Sequence, residues 1–240
     1  MEGAGREFAP GQGFYARYFK RALDVSCSVL GMAVLAPVFL IAACCVKVSS
    51  RGPIFYRQTR IGKDGRQFQI LKFRSMLVGA EKIGLGITVS GDRRITAVGR
   101  FLRHHKVDEL PQLWNVLCGD MSLVGPRPEV PVYVAAYTLE QRRVLSVRPG
   151  ITDLATIAYR YEEQILADHD DPERFYRTQV VPDKLVRNLV YLDGVSLGGD
   201  LRIIFETVAS LFFPWSKPQI QSHSRPTTGS ESQVNETSKV

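Results

Sequence analysis

Val25-Ser26-Cys27-Ser28-Val29-Leu30-Gly31-Met32-Ala33-Val34-Leu35-Ala36-Pro37-Val38-Phe39-Leu40-Ile41-Ala42-Ala43-Cys44-Cys45-Val46 carries no charged side chain. As a helix, this run of about 22 residues is about 33 Å long, enough to cross a hydrocarbon core. A buried core helix is a weak reading, because no polar face is present to meet water. Three readings compete: a spanning helix, a cleaved export signal, and a re-entrant hairpin that enters and leaves by one leaflet. Basic residues stand at both ends, Arg17, Lys20 and Arg21 before and Lys47 and Arg51 after. Positive flanks prefer the cytoplasmic side, so charge at both ends argues against a clean crossing. Pro37 removes an amide donor and clashes with the preceding turn, which marks it as the break of a bent helix.

The export reading has one point in its favour: Ile41-Ala42-Ala43-Cys44 has the form of a lipoprotein cleavage site. Against it, the apolar core is longer than a signal needs and basic residues follow the cut closely. The re-entrant hairpin is the favoured reading. Around it the chain has 240 residues, 45% hydrophobic and 23% charged, with a formal net charge of +7. That size allows one domain of moderate size with appendages. The basic excess favours an anionic partner without choosing between nucleic acid, acidic lipid and a phosphorylated substrate. Cys27, Cys44, Cys45 and Cys118 show neither zinc-type spacing nor a disulfide framework. They read as reduced packing residues, which fits a reducing compartment.

Outward from the apolar run, residues 1–16 read as a loose Gly-rich lead-in and residues 17–50 as the membrane hairpin. Residues 51–213 read as a cytosolic domain, and the Ser/Thr/Gln-rich residues 214–240 as a disordered tail. Residues 54–61 and 68–74 read as strands joined by the turn signal Lys63-Asp64-Gly65. This hairpin carries Arg57, Arg60, Lys72 and Arg74, either as a solvated basic face or as a phosphate or headgroup site. Residues 84–91 are a Gly-rich loop, and residues 95–106 a basic amphipathic stretch. Residues 131–147 and 161–191 have helical patterns. From Asp200 to Phe213, Leu201, Ile204, Phe205, Val208, Leu211 and Phe212 share one helical face. That face either docks on the core or lies in a membrane interface. The fold class is therefore α+β: mostly helical, with a small β-hairpin, an N-terminal re-entrant membrane helix and amphipathic interfacial helices.

The chemistry concentrates at Asp108-Glu109-Leu110-Pro111-Gln112-Leu113-Trp114-Asn115-Val116-Leu117, a helix opened by paired carboxylates and ended by Gly119. Asp108 suits an N-cap, but capping explains neither Glu109 nor the basic cluster Arg100, Arg103, His104, His105 and Lys106. A helix N-terminus attracts phosphate and keeps an aspartate ionised. Such an aspartate can attack phosphorus to give an acyl phosphate. Glu109, with Asp108, could hold Mg²⁺, which prefers hard oxygens and bridges phosphates. Arg103, Arg127 and Arg148 are candidates for gripping the phosphates, because guanidinium binds them bidentately. Arg127 stands between Pro126 and Pro128, and Arg148 opens a similar Arg148-Pro149-Gly150 unit. Glu162, Glu163, Asp168, Asp170 and Asp171 read as a solvated acidic run. His104 and His105 read as surface or packing residues.

These pieces together resemble the bacterial monotopic phosphoglycosyl transferases. The likeness rests on Lys20-Arg21-Ala22-Leu23-Asp24, Gly52-Pro53-Ile54-Phe55, Lys72-Phe73-Arg74-Ser75-Met76 and the Asp108 to Leu117 stretch. It continues through Gly119-Asp120-Met121-Ser122, Val124-Gly125-Pro126-Arg127-Pro128-Glu129 and Val147-Arg148-Pro149-Gly150-Ile151-Thr152, all in family order. The resemblance implies that Asp108 attacks the proximal phosphate of a UDP-sugar, UMP leaves, and polyprenyl phosphate takes the phosphosugar from the enzyme. It implies a Mg²⁺ requirement, Glu109 as the second member of a dyad, and Lys72, Arg74, Arg103, Arg127, Arg148 and Arg160 as phosphate- or nucleotide-binding residues. It also implies a re-entrant helix over residues 23–48, a bacterial inner-membrane location with the catalytic domain facing the cytoplasm, a possible homodimer, and no nucleic acid partner.

Two departures stand out. Ala36-Pro37 replaces the family's frequent Ser-Pro pair at the helix break. Asp153-Leu154-Ala155-Thr156-Ile157-Ala158-Tyr159-Arg160 replaces the frequent Gly-Trp-Ala-Gln-Val-Asn-Gly-Arg, keeping only Ala155 and Arg160. The second bears on sugar choice more than on the reaction. The multi-span N-terminal extension of larger members is not in this sequence, which therefore reads as a minimal catalytic unit. A membrane-bound, non-catalytic adaptor for anionic lipid or nucleic acid is the competing reading, but it gives Asp108 and Glu109 no purpose.

Overall fold

The computed structural model describes residues 14–80 and 87–213. The tail at 214–240, residues 1–13 of the lead-in and residues 84–86 of the Gly-rich loop lie outside them. The helical backbone starts earlier than the lead-in reading, with a π-helical turn at Tyr15–Phe19 running into α1 (Lys20–Val34). α2 (Ala36–Ser49) follows at a bend of 64°. The break falls at Leu35 (φ −88°, ψ 4°), one residue before the Ala36-Pro37 pair. Pro37 lies in the first turn of α2, where its missing amide leaves no bond unmade. Among the described residues no single helix is long and apolar enough to cross a membrane.

The first turn of α1 ties this pair to the rest of the molecule. Lys20 bonds the buried Asp200. Arg21 donates to the carbonyls of Val116 and Leu117, and Asp24 accepts from the Leu123 amide at 3.0 Å. The cysteines differ from the packing role read for them, since all four are exposed.

β1 (Phe55–Ile61) and β2 (Gln67–Phe73) pair antiparallel through the Lys63–Gly65 turn, with Asp64 at φ 57°. Then come α3 (Ala97–His104), capped by Thr96, a 3-10 turn at Val107–Glu109, and α4 (Gln112–Cys118), which ends at Gly119 with φ 92°. Asn115 of α4 reads the outer edge of β2, accepting from the Leu71 amide at 2.9 Å and donating to the Gln69 carbonyl at 2.8 Å. A two-stranded ribbon is marginal alone, and this bond pair with the Ile70, Val116 and Met121 cluster seats it on α4.

A second sheet was not foreseen: β3 (Ser122–Val124) pairs parallel with β4 (Gly150–Thr152). Strands this short carry no visible alternation, and their partners lie far apart in the chain. The Arg148-Pro149-Gly150 unit thus also makes a close backbone crossing. A Cβ on Gly150 would stand 2.2 Å from the Gly125 nitrogen. Gly150→Ala is therefore expected to force the two strands apart and lower unfolding free energy by about 1–3 kcal/mol, measurable by urea unfolding in detergent.

The stretch 131–147 is broken into α5 (Pro131–Val134) and a 3-10 run at Gln141–Ser146. After β4 come α6 (Leu154–Ala158), α7 (Glu162–Ala167) and α8 (Pro172–Phe175). A π-helical turn at Tyr176–Val180 carries α8 on into α9 (Val181–Asp193), so residues 161–191 are helical as read, with an interruption at 168–171. Asp171 caps α8 and Pro172 starts it, which is why the helical period is interrupted there. Tyr133, Tyr137, Leu166, Tyr176, Val180 and Leu185 form the largest core.

α10 (Leu197–Phe212) docks by a narrow stripe: Ile203 is buried, Thr207 bonds Thr152 and Ser210 bonds Arg160. Leu201, Phe205, Val208 and Leu211 of its apolar face are exposed, with Phe205 at 73%. The docked-on-the-core alternative is thereby set aside for that face. The side chain of Phe212 lies outside the described residues.

Candidate active site

Asp108 is not an N-cap. The 3-10 turn places it ahead of α4, whose N-cap is Pro111 with no side-chain cap bond. Pro111 follows a helical Leu110, so the backbone runs almost continuously from Val107 to Cys118. Asp108 and Glu109 are both buried.

Glu109 is fully engaged. Lys72, from the end of β2, donates to its Oε1 at 2.9 Å. Arg127 reaches both oxygens, Oε2 at 3.1 Å and Oε1 through its other terminal nitrogen. Burial alone would raise this carboxyl, but Arg127 and Lys72 more than reverse that and hold it well below the ordinary carboxylate range. Burial lowers Lys72 even against the pull of Glu109, with Arg127 adding repulsion.

Asp108 is the reverse. Its Oδ1 is buried without a partner among the described residues. Burial first, then the charge of Glu109, raise its pKa, against the opposing effects of Lys72, Arg103 and Lys106. The site therefore works against the ionised form that a helix terminus would favour: this side chain gains its proton more readily than a free aspartate.

The loop after β3 positions Arg127. Its amide donates to Asp153 Oδ2 at 2.9 Å, and its guanidinium also touches the Ile151 carbonyl at 3.3 Å. Asp153, wholly buried, caps α6 through the Thr156 amide. One carboxylate therefore joins the ends of β3 and β4. Sequence reasoning had no signal for that role beyond an aspartate two residues past Gly150-Ile151.

The remaining cations named from sequence are engaged by partners other than the dyad. Arg74 is buried and donates to the carbonyls of Val46, Ser50 and Arg51, holding the exit of α2. Arg103 pairs with Glu163. Arg148 is exposed and donates to the Gly119 carbonyl at 2.9 Å. Arg160 donates to Ser210 at 2.9 Å. Of the six, the structure brings Lys72 and Arg127 directly onto the dyad. The acidic run is also paired rather than simply solvated: Glu162 meets Lys184, and Glu163 meets Arg103. His104 and His105 stack edge-on at the surface.

Mg²⁺ can be tested against these donors. Among the described residues no group of three or more metal-ligating side chains exists. Mg²⁺ does not need one, since it often takes one or two carboxylates and completes its shell with water and substrate phosphates. The unpartnered Oδ1 of Asp108 is a hard oxygen of that kind, so the donor set fits; Glu109 would have to share oxygens with Lys72 and Arg127.

A small ribbon and a short parallel pair on a helical body, with a paired-carboxylate turn between them, define a class that comparison identifies. A family model for bacterial sugar transferases matches residues 15–214, and the chain belongs to that family. It is 37% identical over 199 residues to a UDP-N-acetylgalactosamine-undecaprenyl-phosphate N-acetylgalactosaminephosphotransferase of Aeromonas hydrophila, covering 81% of this chain and 44% of that protein. It is 40% identical over 195 residues to a UDP-glucose:undecaprenyl-phosphate glucose-1-phosphate transferase of Caulobacter vibrioides, covering 80% and 69%. It is 38% identical over 198 residues to the exopolysaccharide production protein PSS of Rhizobium leguminosarum bv. phaseoli, covering 80% and 94%. The chain thus matches less than half of the first relative and nearly all of the third.

Proposed function

We propose that this chain transfers a sugar 1-phosphate from a UDP-sugar to polyprenyl (undecaprenyl) phosphate, as the first membrane step of glycan assembly. The observation that carries the reading is the asymmetry of the dyad. Glu109 is locked between Lys72 and Arg127, while Oδ1 of its neighbour Asp108 has no partner. One carboxylate is fixed as a structural charge, and the other is free to react. The names of the relatives support the donor and acceptor classes.

In this mechanism an Asp108 oxygen attacks the sugar-bound phosphorus of the donor. The bond from that phosphorus to the bridging oxygen breaks, and UMP leaves with the electron pair. An acyl phosphate of the sugar remains on Asp108. A phosphate oxygen of polyprenyl phosphate then attacks the same phosphorus, and the Asp108 carboxylate departs, regenerating the enzyme. Arg127 and Lys72 hold positive charge beside the reacting phosphorus through Glu109, and Asp153 fixes the Arg127 loop. Bound Mg²⁺ supplies charge neutralisation on the diphosphate, with Asp108 and Glu109 as the residues that would hold it.

The membrane part of the proposal is a re-entrant α1–α2 pair at the bacterial inner membrane, with the catalytic body on the cytoplasmic side and the exposed face of α10 in the interface. The bend, the charge-free run and the basic flanks support it. Cysteines introduced at Arg17 and Arg51, with the native cysteines replaced, are expected to label from the same side of sealed vesicles. Labelling from opposite sides would remove the hairpin.

The reaction is tested by incubating the detergent-solubilised protein with a panel of UDP-sugars, Mg²⁺ and undecaprenyl phosphate. UMP is the expected product with one or a few donors. Release of UDP would point to ordinary glycosyl transfer, and no nucleotide release to the adaptor.

A further inference from the structure

Lys106 joins α3 to the turn that carries the dyad. Its amide donates to the Arg103 carbonyl at 3.1 Å, and its own carbonyl accepts from the Glu109 amide at 3.2 Å. Its backbone is left-handed, at φ 56° and ψ 17°. Among the described non-glycine residues only Asp64, in the hairpin turn, shares a positive φ. Glycine or asparagine would occupy such a joint with less strain. A long cationic side chain there calls for a reason, because strain of this kind gathers at functional sites.

The ammonium supplies one. The other cations around the dyad are engaged: Lys72 and Arg127 on Glu109, and Arg103 on Glu163. Lys106 makes no side-chain hydrogen bond or ion pair among the described residues, yet it lies near enough to favour the charged forms of both Asp108 and Glu109. It is half-buried rather than extended into solvent. A half-buried cation without a side-chain partner among the described residues thus sits two residues before a carboxylate whose Oδ1 also lacks one.

We propose that Lys106 is a phosphate-binding residue, its ammonium taking a substrate phosphate oxygen beside Asp108 from the left-handed joint between α3 and the dyad turn. The proposal rests on the reaction given above and deepens it by naming a cation available to the incoming anion. The phosphate belongs either to the donor's diphosphate or to the acceptor, and the two half-reactions separate these sources.

The test uses the full chain in detergent with Lys106→Asn, Lys106→Gly and Lys106→Arg. Asparagine and glycine keep the joint and remove the charge, so both are expected to melt no lower than the parent. Loss of one charge-assisted contact is expected to reduce turnover by about 10- to 100-fold, with Lys106→Arg keeping most of it. UMP release without acceptor falls if the donor's diphosphate is held; only discharge to polyprenyl phosphate falls if the acceptor is held. Binding of inorganic diphosphate, measured by calorimetry, is expected to weaken in the same variants. Diphosphate binding that depends on Lys106 in a protein that releases no UMP would overturn the reaction and leave this site standing. Unchanged turnover and diphosphate binding in Lys106→Asn would overturn the site, as would equal loss in Lys106→Asn and Lys106→Arg. Absence of diphosphate binding by the parent would also overturn it.

Discussion

Asp108→Asn is expected to reduce UMP release by at least about 10³-fold, because the attacking oxygen is replaced by an amide. The same substitution is expected to leave the protein as stable as the parent, or more stable by about 0.5–2 kcal/mol at neutral pH. The sign follows from the environment. Burial and Glu109 raise the Asp108 pKa, so the fold prefers its protonated form. Its favourable contribution is complete below the ordinary aspartate pKa of about 4 and is lost as pH rises through the higher folded-state value. Above that folded-state value the parent carries a disfavoured charge that asparagine lacks. Turnover needs the ionised form, so the acid limb of the rate profile of the free enzyme is expected above the ordinary carboxylate range. Thermal melts beside UMP assays across pH check both statements. An inactive Asp108→Asn protein that also melts well below the parent would show the residue to be mainly structural.

Glu109→Gln is expected to do the opposite to stability. Both oxygens of Glu109 serve Lys72 and Arg127, and removing one member of a buried pair leaves its partners uncompensated. The expected loss is about 3 kcal/mol, with turnover falling alongside it. Because Arg127 and Lys72 hold the Glu109 carboxyl well below its ordinary value, its stabilising contribution is present above an unfolded pKa of about 4.3 and disappears as pH drops through the folded value. Urea unfolding over acidic and neutral pH should therefore show the parent losing its advantage over Glu109→Gln only in strong acid. A pH-independent difference would contradict the ion-pair account. Two adjacent carboxylates are thus expected to move stability in contrary directions when neutralised.

The site's chemistry was more legible in the sequence than its geometry. The Asp108-Glu109 pair, the prolines around Arg127 and the strand pattern of residues 54–74 are local signals, and all three reappear in place. Lys72 and Arg127 meet Glu109 because the ribbon and the β3–β4 crossing close on α4, contacts between elements far apart in the chain. No local pattern distinguishes them from Arg74, which turns to the α2 carbonyls, or from Arg148, which ends on Gly119. The N-cap reading of Asp108 failed because Pro111 restarts the helix one turn later. The helical reading of 161–191 holds on both sides of a break that ends at Asp171-Pro172, where a cap and a proline start the next helix. For α10 the apolar face was legible, but not that the protein would be gripped by Ile203, Thr207 and Ser210 instead.

The Asn115 bridge carries one more implication. By holding the amide of Leu71 and the carbonyl of Gln69, it makes the ribbon and α4 a single cooperative unit. Opening α4 frees the Gln69 carbonyl and the Leu71 amide, and opening the ribbon leaves the buried Asn115 carboxamide unpaired, so amides of residues 69–71 and 113–116 should exchange with solvent at a common rate. The same side chain also denies that stretch of strand edge to a neighbouring molecule, which guards a short ribbon against pairing with strands outside its own chain.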